Sequence, residues 1–151
     1  MNTSLAPTAM TTLSQKAAAV VAGTLVLVGI LGFVPGVTTH YDEITFAGHE
    51  SGAQLLDLFA VSVLHNIVHL AFGVAGFLLA TSWTGARAFL IGGGAVYLLL
   101  TIYGLLVDRH EDANVVPLDK ADNWLHLVLG LGMIGLGLFL GRADNEATDP
   151  R

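Results

Sequence analysis

Six polar side chains, His65, Asn66, His69, Asp122, Asn123 and His126, stand in segments otherwise apolar enough to cross a membrane. They fall in two strings with one pattern, Asn-x-x-His-Leu-x-x-Gly: first Asn66, His69, Leu70 and Gly73, then Asn123, His126, Leu127 and Gly130. Corresponding residues are 57 positions apart (66 to 123, 69 to 126), and a further potential ligand, His65 or Asp122, precedes each Asn. Ionisable side chains are costly in hydrocarbon, which makes a repeated set of them a candidate functional site. Positions i and i+4 share a helix face, with Cβ atoms about 6 Å apart. His65 therefore pairs with His69, and Asp122 with His126.

Four such groups facing one another would suit a four-coordinate divalent metal such as Zn²⁺. His69 and His126 alone would suit the two axial positions of a b-type haem. Histidines facing an acidic surface would serve as proton or cation relays. The plainest use is packing, because Asn and His hydrogen-bond across membrane-helix interfaces at about 0.6 kcal/mol each. A repeated Asn-x-x-His would do so twice, His of one helix to Asn of the other. Asp122 is also suited to capping a helix start.

The elements that must position these residues follow from composition. Of 151 residues, 54% are hydrophobic and 12% charged, against about 25% charged in soluble domains, and the mean hydropathy is +0.70. Residues 17–34, 58–84, 88–107 and 124–141 carry no Asp, Glu, Lys or Arg. Runs of about 18 or more apolar residues read as membrane spans. The expectation is an all-α membrane four-helix bundle with helices at about 17–34, 54–80, 86–107 and 122–141. It forms one domain over 16–141, between a disordered tail at 1–15 and a polar tail at 142–151. The first run is too long for a signal-peptide core and ends in Phe33-Val34-Pro35-Gly36 without a small-residue cleavage site, so it reads as a retained helix. Helix two, at 54–80, is longer than the hydrocarbon is thick, placing its first turns at the interface or above it.

The motif offset of 57 and a spacing of about 71 between helices one and three describe two helical hairpins in a parallel pseudo-repeat. That arrangement brings helices two and four together. Glycines at 130, 132, 135, 137 and 141, with Gly73 and Gly76 on helix two, suit close helix approach, and Gly137/Gly141 is a GxxxG pair. Trp83, Tyr103 and Trp124 read as interfacial anchors. Tyr97 and Thr101 would line any cavity beside helix three.

With four spans, Lys16, Arg87, Arg142 and Arg151 share one side against Arg109 and Lys120 on the other, which favours cytoplasmic termini. Nine of the twelve acidic residues then face outward. The outer loops hold His40, Asp42, Glu43, His49 and Glu50, then Asp108, His110, Glu111 and Asp112, a solvated acidic face with weak capacity for a divalent cation. Net charge is −6 with no basic stripe, excluding a nucleic-acid partner. The lack of Cys removes disulfides, thiol nucleophiles and iron–sulfur ligation through thiolates. No P-loop, H-E-x-x-H, G-x-S-x-G or dinucleotide fingerprint occurs, which argues against soluble-enzyme chemistry.

Three strings, GFVPGVTTHYDEITFAG, LLDLFAVSVLHNIVHLAFGVAGFLLA and DNWLHLVLG, resemble a bacterial family of small four-helix membrane proteins catalogued as a domain of unknown function. The likeness spans about 17–141. It implies four helices in a cell membrane and supplies no activity, ligand or catalytic residue. The reading from sequence is thus a multi-pass membrane protein whose partners are the bilayer and a second copy or another membrane protein. It is an accessory or interaction protein with an Asn/His packing core and no cofactor. The alternatives are a metal- or haem-binding redox protein using His65, His69, Asp122 and His126, and then a proton-coupled or cation transporter.

Overall fold

The computed structural model describes residues 12–48, 50–107, 115–116 and 118–148. Outside these lie most of the expected N-terminal tail and the loop residues His49, Asp108, Arg109, His110, Glu111 and Asp112. Four helices dominate: α1 Leu13–Leu31, α2 Val63–Leu79, α3 Trp83–Leu106 and α4 Lys120–Thr148. Of these, α1, α3 and α4 are long and apolar enough to cross a membrane, while α2 is a shorter apolar helix.

Helix starts follow capping chemistry. Thr12 and Gln15 form a reciprocal capping box, so α1 begins at Leu13 and takes in the end of what reads from sequence as tail. Ser62 accepts from the His65 N–H at 3.1 Å, and Ser82 from the Gly85 N–H at 3.1 Å. Asp119 accepts from the Asp122 N–H at 2.9 Å while Asp122 accepts from the Asp119 N–H at 3.1 Å, the same reciprocal device at the start of α4. α4 runs on to Thr148, so residues 142–148 continue the helix and are not a separate tail.

The expected helix over 54–80 is corrected at its start. Residues 54–60 form a hairpin, β2 Gln54–Leu55 and β3 Phe59–Ala60, which joins β1 Thr38–Thr39 in an antiparallel sheet of order β1-β2-β3. Leu56 and Asp57 turn the chain at φ 55° and 58°, values a helix cannot contain. Burial drives the turn: Ala53, Leu55 and Val61 are buried as a small core with Val28, Leu31 and Ile44, while Leu56 and Leu58 project outward. This sheet caps one end of the bundle.

The chain runs up and down as two hairpins. α1 packs chiefly on α2 and α3 on α4, with α1 also touching α3 and α4. α2 and α4 do not pack along their lengths, contrary to the sequence expectation. The reason lies in the glycines, whose bare backbones draw each helix onto its own hairpin partner. Gly73 lies against Ala22 and Val26 of α1, and Gly130 against Gly94 and Leu98 of α3. Between α2 and α4 stands Tyr97, its ring 6.2 Å from Phe72 on one side and 5.2 Å from His126 on the other. The core beneath is Ala18, Ala22, Leu25, Phe89, Leu90 and Met133.

Candidate functional site: a histidine chamber under the cap

The motif divides into two jobs. Its Asn and Gly lie seven positions apart, two helical turns, and therefore share a face. In both copies that face meets the hairpin partner. Asn66 rests on Gly32, the C-cap of α1, and Asn123 rests on Gly104 of α3, where its Nδ2 donates to the Gly104 carbonyl at 2.9 Å. Any side chain at Gly32 or Gly104 would occupy the space of the asparagine amide. At the opposite end, Gln15 Nε2 donates to the Ala80 carbonyl at 3.1 Å, and Arg87 Nε to the Gly137 carbonyl at 3.2 Å.

The histidines are spent differently. His65, His69 and His126 are all more than nine-tenths buried. With Val68, Leu100 and Val116 they line one cavity of about 70 Å³ beneath the cap. His65 and His69 stack face to face, centroids 4.6 Å apart and planes 12° from parallel, as one turn of α2 requires of neighbouring rings. His126 arrives from α4 with its ring against Tyr97. The Nδ1 atoms of all three are buried without a hydrogen-bond partner. The expected His-to-Asn bond between helices does not form: Asn123 is bonded within its own hairpin, while both amide atoms of Asn66 are buried against Gly32 without a hydrogen-bond partner. An unsatisfied buried polar group costs about 1–3 kcal/mol, so these nitrogens invite a guest. The cavity has room for one ion or a few waters, since about 10–15 Å³ of such space holds one water. Cofactor pockets are about 300–1,000 Å³, well above this volume.

Asp122 does not join the chamber. Its Oδ2 accepts from the N–H groups of Asp119 and, at 3.1 Å, of Ala60 in β3, fastening the cap to α4. The expected set of four thus resolves into three imidazoles and one structural carboxylate. Among the described residues no group of three or more His, Asp or Glu is disposed to hold a metal ion. The stack accounts for this: imidazole lone pairs lie in the ring plane, and parallel rings aim them in parallel. Thr101 donates to the Tyr97 carbonyl within α3 and lines a separate lateral recess of about 310 Å³ with Leu105, Lys120, Asn123, Trp124 and Leu127. Tyr97, expected only as a cavity-lining residue, is the spacer between α2 and α4, and its place two helical turns from Phe89 and Leu90 is the sequence signal of that buried face.

Residues 15–139 match the family model described as Domain of unknown function (DUF4383), in line with the resemblance noted from the sequence. No curated protein and no solved structure matches the chain.

Proposed function

The chain belongs to the Domain of unknown function (DUF4383) family, and on that footing we propose that it is a four-span accessory or interaction protein of the cell membrane, with both termini cytoplasmic. The observation that carries this is the use of the motif's Asn and Gly to build the hairpins. Contacts recur at constant offsets: Gly32 and Gly104, Ala22 and Gly94, Val26 and Leu98, and Gln15 and Arg87 are each 72 positions apart. Their partners Asn66 and Asn123, Gly73 and Gly130, and Ala80 and Gly137 are each 57 apart, as are the caps Ser62 and Asp119. These correspondences support a duplicated hairpin.

α2, at 17 residues, would be about 26 Å long, within the lower limit for a span. Lys16, Arg87 and Arg142 lie at the end where α1 starts and α4 finishes, and Lys120 at the other, which supports the orientation. The test uses introduced cysteines in a chain that has none. Asp42 and Thr81 are exposed at opposite ends, whereas Ser51 is buried and bonded to the Val61 carbonyl. Asp42→Cys in intact cells is expected to react with an impermeant maleimide and Thr81→Cys only after lysis; the reverse pattern overturns the orientation.

A second reading has its own support in the three orphaned imidazoles around one cavity. There the chamber holds one imidazole-preferring metal ion once a ring rotates out of the stack. Elemental analysis and an absorption spectrum of the purified protein separate the two. The accessory reading expects a colourless preparation with no stoichiometric metal. A Soret band, or about one metal per chain lost in both His65→Ala and His126→Ala, would put the chamber's ligand at the centre of the function.

A further inference from the structure

A groove runs along one face of α3, lined by Trp83, Thr84, Arg87, Ala88, Ile91 and Gly92, with a volume of about 260 Å³. These residues are spaced i, i+1, i+4, i+5, i+8 and i+9, so the groove follows the helix axis for about 14 Å. Its chemistry changes along that length. The end at the start of α3 carries an indole, a hydroxyl and a guanidinium; the other end, further along the exposed face of the helix, is Ala88, Ile91 and a notch at Gly92, where no atom lies within 4 Å of the absent Cβ.

Arg87 is poised for an anion. Its carbon stem passes over Gly141, its Nε is fixed on the Gly137 carbonyl, and its guanidinium lies 6.0 Å from the Trp83 ring centroid. That bond is to a neutral acceptor, and among the described residues no carboxylate pairs with the charge. The remaining guanidinium N–H groups stay available for a planar two-point contact with phosphate. Lys16 and Arg142, both exposed, bring further positive charge to the same end of the bundle.

We infer that this groove seats one anionic phospholipid from the leaflet at the end where α3 begins, with its phosphate on Arg87 and Thr84 and one acyl chain in the Gly92 notch. The polar-to-apolar order of the groove matches that of a lipid entering a bilayer from the interface, and the unpaired cation selects a headgroup with net negative charge. The inference rests on the membrane reading above.

Membrane fractionation of the full chain comes first: recovery in the soluble fraction without detergent overturns the membrane reading itself. Protein in the membrane fraction is then purified and reconstituted in nanodiscs of mixed phosphatidylglycerol and phosphatidylcholine, and retained lipid is counted by native mass spectrometry. Wild type is expected to retain phosphatidylglycerol about fivefold over phosphatidylcholine, equivalent to about 1 kcal/mol. Arg87→Gln is expected to abolish the preference. Because Arg87 also bonds α4, Gly92→Leu is the cleaner variant: it fills open space, keeps the lipid-free melting temperature at or above that of wild type, and reduces retained lipid of both kinds. Equal retention by wild type and Gly92→Leu, no headgroup preference in wild type, or a melting temperature raised as much by inorganic phosphate alone as by phosphatidylglycerol would each overturn the proposal.

Discussion

Alanine at Gly73 or Gly130 is expected to destabilise the protein by about 1–3 kcal/mol, the usual cost of overpacking a close contact. A Cβ at Gly73 would stand 2.6 Å from Val26 Cγ2, 2.8 Å from the Ala22 carbonyl oxygen and 2.9 Å from the Val26 nitrogen. At Gly130 it would stand 2.8 Å from Leu98 Cδ2 and 2.9 Å from the Gly94 oxygen. Two of these neighbours on α1 are backbone atoms, so relief requires the helices to part, which also loosens the Asn contact two turns away. Opposing this is the helix-propensity gain of about 1 kcal/mol for Gly to Ala. Gly132 and Gly135, on the same helix as Gly130, have no atom within 4 Å of a built Cβ and keep only the gain. Thermal unfolding in detergent decides the matter. Gly132→Ala should melt at or above wild type and Gly130→Ala well below it; equal melting of the two would mean that the hairpins are not held by close approach at the motif.

Replacing Asp122 separates structure from ligation. Asp122→Ala strands two N–H groups, those of Ala60 and Asp119, each at about 1–3 kcal/mol. It also removes half of the capping box of α4. A marked fall in melting temperature is expected, together with faster proteolysis of the cap between α1 and α2. Asp122→Asn keeps an acceptor oxygen where Oδ2 lies and should behave nearly as wild type. Were the carboxylate a metal ligand, the two variants would be equally damaging to metal content, since an amide oxygen is a poor substitute for an anionic one. Equal stability of the Ala variant and wild type would refute the fastening role.

The four helices were legible because their signal is coarse: long uncharged runs leave few alternatives. The two motif strings share one residue pattern in the sequence, and the i, i+4 spacing put His65 beside His69, as the stacked rings show. What misled was the stretch at 54–62. Leu55, Leu56, Leu58 and Phe59 have the apolarity of a helix, and only tertiary burial of Ala53, Leu55 and Val61 makes a hairpin the better solution. One local sign was present, Ser62 before an apolar run, which is an N-cap signature. The same kind of sign, Thr-x-x-Gln at 12–15, marked the true start of α1. Helix pairing was beyond composition. Facing α2 toward α4 satisfied the polar residues on paper, but Gly73 and Gly130 set the backbones of each hairpin against one another, and Tyr97 stands between α2 and α4. Asp122 looked equivalent to His65 by offset, and so it is as the third residue of a helix; its side chain is diverted because β3 presents it an unpaired N–H.

Asp144 bears on the order in which the molecule is made. Its carboxylate accepts from the N–H groups of Leu13 and Ser14 at 3.0 Å and from the Ser14 hydroxyl at 2.6 Å. Those are the first two amides of α1, which helix geometry leaves without partners in their own helix. During synthesis they therefore wait for a residue made about 130 positions later. The first helix can form early, but its leading end is completed only when the last one arrives. Closing so long a loop is slow compared with joining neighbouring helices, so the hairpins are set to assemble first and the joining of the chain's two ends to come last.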